Sequence, residues 1–271
     1  MKIIHFSDPH AGAFPDSFSA FFDKRIVGTF NYLFRRQFMH NIELLKKAVD
    51  FILAEQPDAV VCTGDLTTTG QPAEFDIILD ILAPLTEHPD IKMIYVPGNH
   101  DAYVKNSRCR NAMEETFKKL NGGLSIESLP ALRQIGECDF LLLNECRPTN
   151  IFLSTGYITN DDSQKLTELC ELRGKRPRIL VGHFPLKKKY DGLLEFRHKI
   201  YGHEKVETLL NDGNVDLSLC GHAHNTYMKI NESGKGELCV GSITKNGEML
   251  IVKYDRSSGT FSHKIHSVSD I

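Results

Sequence analysis

Residues 59–65 read Ala59-Val60-Val61-Cys62-Thr63-Gly64-Asp65: four apolar residues, a polar step, a glycine, then a carboxylate. A short apolar run bounded by a turn signal suits a strand buried on both faces. The glycine lets the chain turn sharply out of that strand and leaves Asp65 at its carboxyl end. The plan recurs along the chain. Residues 3–6 lead to Asp8-Pro9-His10, and 92–96 to Gly98-Asn99-His100-Asp101. Residues 179–181 lead to Gly182-His183, and 217–220 to Gly221-His222-Ala223-His224. A lone Asp or His after a strand is usually a turn residue or a satisfied polar group. Five such motifs in order concentrate His, Asp and Asn, donors for a site of two metal ions, and two ions suit hydrolysis of a phosphate ester.

Between these runs lie helical patterns. Residues 41–55 place Ile42, Leu45, Val49 and Ile52 at helical spacing and stop before Pro57. Residues 73–82, 111–120, 161–172 and 204–210 are further helices, and 140–143 is one more strand. From about 237 to 266 the pattern is more purely β, with strands over 249–254 and 260–266. Strand–helix alternation predicts α/β layers, with ligands gathered in the crevice beyond the carboxyl ends of the strands. No repeat, low-complexity tract or composition shift marks a linker, so 1–271 reads as a single domain.

Asp8 and His10 stand two apart. In an extended chain they point to one side, so one ion could take both. His222 and His224 repeat that spacing around the small Ala223. The Asp65 carboxylate has two oxygens and can bridge two ions, Asn99 offers a neutral carbonyl oxygen, and His183 ends its strand. His5, His40, His88, His198, His203, His263 and His266 follow no such pattern and read as background.

Hydrophobic residues make up 41% of the 271 and charged ones 25%, as in an ordinary globular chain. A net charge of -3 argues against a broad basic surface for nucleic acid. The seven Cys are odd in number and contain no Cys-x-x-Cys, which suits a reduced, cytosolic compartment. A ligand motif already at residue 8 leaves no room for a cleaved signal peptide. No apolar run approaches the roughly 18 residues that span a bilayer. The expected location is the cytoplasm, with the inner membrane face as a peripheral station.

The five motifs, spanning Asp8 to His224, resemble those of the calcineurin-like metallophosphoesterases. The resemblance implies a four-layer α/β/β/α sandwich with a dinuclear metal site at the carboxyl ends of the strands. It implies that Asp8, His10, Asp65 and His224 hold one ion, and Asp65, Asn99, His183 and His222 the other, with Asp65 bridging. His100 then faces the substrate and Asp101 orients it. No family ligand is missing, which argues against a degenerate binding-only relative. Within the family, Gly64-Asp65-Leu66-Thr67-Thr68-Thr69-Gly70 followed by Glu74 resembles the bacterial cyclic-nucleotide phosphodiesterase branch. That branch is in turn similar to the enzymes that cleave the pyrophosphate of UDP-diacylglucosamine.

The reaction implied is attack of a metal-bound hydroxide on the phosphorus of a phosphodiester or pyrophosphate, a cyclic nucleotide or a nucleotide-linked lipid precursor. His100 would stabilise charge and protonate the leaving oxygen. A phosphomonoesterase or protein phosphatase is the alternative, and a metal-stabilised interaction scaffold is the non-enzyme reading. N and O donors without thiolate permit Mn²⁺, Fe, Zn²⁺ or Mg²⁺, with Mn and Fe placed first.

Residues 14–38 hold seven of the 16 Phe: Phe14, Phe18, Phe21, Phe22, Phe30, Phe34 and Phe38. Lys24, Arg25, Arg35 and Arg36 are interleaved, and the spacing is near helical. Pro15 suits a first helical turn, so a helical insertion is expected directly after the first metal motif. Its plain reading is packing on the core or on a second subunit, as in a homodimer. The sharper one is a cap that meets a lipid tail or a membrane surface. Lys187-Lys188-Lys189 reads as a solvated loop that could steer an anion. Arg108, Arg110 and Arg147 are weaker candidates for substrate contact.

Overall fold

The computed structural model describes residues 1–150, 152–172, 174, 176–187 and 193–269, apart from the side chains of Phe18, Ser19, Arg35, Arg36, Leu193, Leu194 and Glu195. In chain order its strands are β1 (Lys2–Phe6), β2 (Ala59–Cys62), β3 (Lys92–Tyr95), β4 (Ala131–Ile135), β5 (Cys138–Leu142), β6 (Gly156–Tyr157), β7 (Arg178–Val181), β8 (Ile200–Tyr201), β9 (Leu217–Cys220), β10 (Tyr227–Ile230), β11 (Gly236–Cys239), β12 (Glu248–Asp255) and β13 (Thr260–Ser267). One sheet has the order β13-β12-β1-β2-β3 and the other β10-β11-β9-β7-β5-β4, while β6 and β8 form a separate parallel pair. In the first sheet β1, β2 and β3 run parallel. In the second, β5, β7, β9 and β11 do.

The alternation of side chains along a strand sorts the layers. Phe140 and Leu142 of β5 and Ile179 and Val181 of β7 join the same core as Ile3, Val60 and Ile94 of the first sheet. Leu141, Leu143 and Leu180 point the other way, into a second core with Leu166, Val206 and Leu209 from two outer helices, Asn160–Glu171 and Glu204–Asn211. On the far side of the first sheet, Ile42–Glu55 and Pro72–Thr86 bury Leu45, Val49, Ile52, Ile78, Leu82 and Leu85. The result is the expected α/β/β/α order. The parallel strands send their carboxyl ends toward the same edge, where the five motifs begin.

Local chemistry sets the helix ends. The Asn41 side chain accepts from the Glu43 N–H and opens Ile42–Glu55, and Gln56 closes it in a left-handed conformation, φ 46°. Gln71 and Glu74 form a capping box around Pro72. That helix runs past Pro84 to Thr86 rather than stopping at residue 82, because Leu82 and Leu85 are both needed in the core. β4 and β10 escape the sequence patterns, since they are short and half-polar edge strands.

The Phe-rich segment is helical in short pieces, and only from Phe18 onward. Phe14, Pro15 and Asp16 belong to no helix. The Gln71 side chain accepts from the Asp16 N–H at 3.1 Å, and such anchoring holds this stretch outside a helical turn. A 3-10 turn follows at Phe18–Phe22, then a helix at Arg25–Asn31, whose first N–H is taken by Asp23 at 2.9 Å. A π-helical turn, Tyr32–Arg36, and a short turn, Gln37–Met39, complete it. Core packing is not what most of these rings do: Phe14, Phe22, Phe30, Phe34 and Phe38 are all more than half exposed.

His5 on β1 is fully buried, and its Nε2 lies 2.9 Å from Thr63 Oγ1. Burial, opposed by the nearby Asp8 carboxylate, pulls its pKa down to about 3 from an ordinary 6.5. The unfolded chain therefore takes up this proton first. The stabilising contribution is complete above pH about 6.5 and is lost as pH falls toward 3. Urea melts of wild type and His5→Gln across that window should show a shallower acid loss in the variant. Parallel acid limbs would remove this assignment.

Candidate metal centre

The motif residues leave their strands through strained backbone. Asp8, His10, Asp65, His222 and His224 have φ of 54°, 48°, 53°, 62° and 50°. Among the described non-glycine residues only Gln56, a helix end, shares this left-handed region. Each such residue costs on the order of 1–3 kcal/mol and persists only where its surroundings hold it. Here hydrogen bonds between motifs do so. Asp8 N–H donates to Gly64 O at 3.0 Å and His10 N–H to Asp65 O at 2.9 Å. Gly221 N–H donates to His183 O at 3.0 Å, and His222 N–H to Asp8 Oδ2 at 3.1 Å. Asp8 and His10 do reach a common cavity, but through these kinks and not through the alternation of an extended chain.

Two groups of donors result. Asp8, His10, Asp65 and His224 each offer an atom within 4.8 Å of the others, and Asp65, His183 and His222 do the same. Asp65 Oδ2 is 3.6 Å from both His10 Nε2 and His183 Nε2, so this carboxylate faces both groups. Asn99 Oδ1 joins the second group, 3.1 Å from His183 Nε2 and 2.9 Å from His222 Nδ1. His222 and His224, though two apart, serve different groups, because the left-handed turn at each rotates their rings apart.

The donors suit a divalent cation. His10 Nδ1 is turned to Thr67 O at 3.2 Å and His183 Nδ1 to Thr63 O at 2.6 Å. A ring that donates from Nδ1 keeps its Nε2 lone pair for the cavity. His10 Nε2 and His224 Nε2 stand only 3.1 Å apart. Asp8 Oδ1 is buried with no hydrogen-bond partner, 3.3 Å from His224 Nε2. Burial lowers the pKa of His183, and burial together with neighbouring imidazoles lowers that of His222 well below the ordinary value. Neutral imidazoles and carboxylates, without thiolate, form a coherent donor set for such ions.

His100 lies beside the donors and not among them. Its N–H donates to Asp65 Oδ1 at 2.7 Å, and its Nδ1 to Thr68 O at 2.6 Å. Its ring stacks on Tyr103, 5.3 Å between centres. Asp101 does not have the expected role of orienting His100. Its carboxylate accepts from Leu66 N–H, Thr67 N–H, Thr67 Oγ1, Gly98 N–H and Tyr95 Oη, none of them the His100 ring. The Thr68 carbonyl fixes the tautomer. Asp101 ties the Asp65 loop to the turn after β3.

Three residues near the donors carried no sequence signal or a weak one. His198 Nδ1 is 3.2 Å from His222 Nε2. The His40 ring meets the His10 ring edge-on at 5.0 Å, and its Nδ1 lies 2.8 Å from Thr244 Oγ1. His198 ends the helix Leu193–His198 and His40 sits in the connection before Ile42–Glu55, both outside the motifs. Glu145 accepts from His183 N–H and Phe184 N–H, both at 2.7 Å, and burial raises its pKa to about 8. It follows β5 as the ligands follow their strands, which was its one legible cue. The arginine candidates are not brought to the donors: Arg108 pairs with Asp16 at 3.7 Å, Arg147 lies 3.9 Å over the Tyr157 ring, and Arg110 is exposed. Lys187 N–H donates to Glu237, while Lys188 and Lys189 lie outside the described residues.

Gly98 permits a close approach to the Asp65 carboxylate. A Cβ there would lie 2.2 Å from Asp65 N and Oδ1. Gly98→Ala should therefore displace Asp65, lower the metal retained after dialysis to half or less of wild type, and lower Tm by several degrees. Elemental analysis beside a thermal melt checks this, and unchanged metal content would mean that the backbone yields.

Comparison with known proteins agrees with this geometry. Residues 1–226 match the family model described as Calcineurin-like phosphoesterase. A Pseudoalteromonas sp. (strain SM9913) protein named probable cyclic nucleotide phosphodiesterase is 25% identical over 193 residues, covering 70% of this chain and 65% of the relative. One of the same name from Vesicomyosocius okutanii is 25% identical over 187 residues, covering 66% and 68%. The chain thus spans about two thirds of the length of these relatives. A dimetal phosphatase from Danio rerio has the same fold, with TM-score 0.64, 16% identity, and 98% of this chain and 96% of that one covered. With the family model covering most of its length, the chain belongs to the calcineurin-like phosphoesterases, a family of metal-dependent phosphoesterases.

Proposed function

We propose that this chain hydrolyses a phosphodiester or pyrophosphate with two divalent ions, Mn or Fe before Zn or Mg. The observation that carries the reading is the pair of donor groups facing one Asp65 carboxylate, with His100 beside them. Asp8, His10, Asp65 and His224 would hold one ion, and Asp65, Asn99, His183 and His222 the other. When bound, such ions supply Lewis acidity and water of lowered pKa. The chain's own residues do the rest. Thr68 O holds the Nδ1–H of His100, so a proton for the leaving oxygen comes from Nε2 when the ring is protonated. Tyr103 backs the ring, and the Asp101 carboxylate keeps the Thr67–Gly98 region in place.

The names of the two relatives favour a cyclic nucleotide as substrate. The exposed phenylalanines favour a nucleotide-linked lipid met at a membrane surface in the cytoplasm, with a second copy of the chain as the other cover for the same rings. Among the described residues no helix is long and apolar enough to cross a membrane, so contact would be peripheral.

The test uses metal-stripped protein refilled with Mn²⁺. Bis(p-nitrophenyl) phosphate should be turned over faster than p-nitrophenyl phosphate, and only with metal. His100→Ala should lower kcat by about 100-fold or more at unchanged metal content. Preference for the monoester would make the chain a phosphomonoesterase. No turnover in protein holding two metals would favour the scaffold reading. Separately, Phe34→Ser with Phe38→Ser should cut co-sedimentation with anionic vesicles severalfold. Equal sedimentation would remove the membrane contact.

A further inference from the structure

We infer that His198 is a positioning residue: it holds the His222 ring with Nδ1 toward the second donor group, and so sets the affinity of the second ion. The inference rests on the two-ion reading above and adds a residue to it.

The two imidazoles of the second group are held differently. His183 turns its Nδ1 to the Thr63 carbonyl at 2.6 Å and its Nε2 to the group, 3.1 Å from Asn99 Oδ1. His222 is turned the other way round. Its Nδ1 is on the side of the group, 2.9 Å from Asn99 Oδ1, and its Nε2 lies 3.2 Å from His198 Nδ1. An imidazole that binds an ion through Nδ1 carries its hydrogen on Nε2, and a metal-bound ring gives that hydrogen to an acceptor. His198 Nδ1 stands where this acceptor belongs. A neutral His198 then carries its own hydrogen on Nε2. His222 is buried, so bulk water does not readily replace a lost partner.

Packing removes the remaining freedom of the ring. Phe184 is buried beside it, with ring centres 4.2 Å apart and planes tilted by 42°. His222 is thus held by a core side chain on one side and by His198 at its outer nitrogen.

Backbone bonds place His198 in turn. It ends the helix Leu193–His198, and its two chain neighbours are tied to the stretch that leads into β6. Ser154 N–H donates to Arg197 O at 2.8 Å, and Gly156 N–H to Lys199 O at 3.1 Å. His183 draws its support from the backbone of the loop that carries Asp65, so that support comes with the fold. His222 draws it from a side chain 24 residues away, which one substitution removes. His10 of the first group again uses a backbone carbonyl, that of Thr67. Loss of His198 should therefore fall on the second ion.

The experiment measures Mn²⁺ binding to the metal-stripped full chain by equilibrium dialysis with elemental analysis, beside Mn²⁺ activation of bis(p-nitrophenyl) phosphate hydrolysis. Wild type should bind two ions. His198→Phe keeps the bulk of a ring and has no acceptor. It should weaken one ion by about tenfold or more and leave the other within about twofold. At the Mn²⁺ concentration that fills both wild-type sites, its electron paramagnetic resonance spectrum should be that of an isolated ion instead of a coupled pair. His198→Asn, whose Oδ1 can stand near the place of Nδ1, should restore most of the affinity. At saturating Mn²⁺, His198→Phe should regain a kcat near that of wild type, which a residue touching the substrate would not allow. If His198→Phe does not fold by circular dichroism, His198→Ala takes its place. Wild-type affinity for both ions in the folded Phe or Ala variant would overturn the inference and leave the phosphoesterase reading standing. So would an Asn variant no better than Phe, or a kcat still depressed with both sites full. A wild type that binds fewer than two ions would overturn both.

Discussion

Two carboxylates, Asp8 and Asp65, lie buried at the edge where the two sheets meet, each 1% exposed or less. An ionised carboxylate taken from water costs several kcal/mol unless positive charge meets it. The imidazoles around them are a poor source, because burial holds His183 and His222 toward the neutral form. Cations held by the carboxylates and the lone pairs of the rings would satisfy both sides at once. The arrangement of the parallel strands, the left-handed turns and the close Gly98 contact all serve to bring these groups within bonding range of common points.

Holding them there requires a frame that touches no substrate. Asp101 gathers N–H and O–H donors from the Asp65 loop, the Gly98 turn and Tyr95. Glu74 does the same for Thr69 and Gln71, and Glu145 for His183 and Phe184. Burial raises all three carboxyls above the usual range. Backbone N–H groups that would otherwise be orphaned in the interior are satisfied by them. A loss of activity on removing Asp101 would thus report on loop geometry before proton transfer.

The Phe-rich segment faces two ways. Outward it presents Phe22, Phe34 and Phe38 to solvent, an apolar surface unusual on an isolated chain. Inward it buries Arg25 and brings Lys24 against Tyr103. One insertion thereby carries exposed rings on one side and packs Lys24 beside the ring that stacks on His100 on the other.

The grouping of the candidate donors was legible because strand-end motifs are local. An apolar run, a glycine and a polar donor lie within a few residues, and Asp8, His10, Asp65, Asn99, His183, His222 and His224 all converge. The strands 59–62 and 217–220 and the helix through Leu45, Val49 and Ile52 were legible for the same reason, since burial imposes its period on nearby positions. What the sequence could not hold was any relation between distant segments. The Thr68 carbonyl rather than Asp101 orients His100, His198 backs His222, and Lys24 faces Tyr103 across nearly 80 residues of chain. The sequence by itself determined which donors exist and at which strand ends. Only the tertiary structure decided which ring serves which group, because that depends on backbone turns and hydrogen bonds closed between elements remote in the chain.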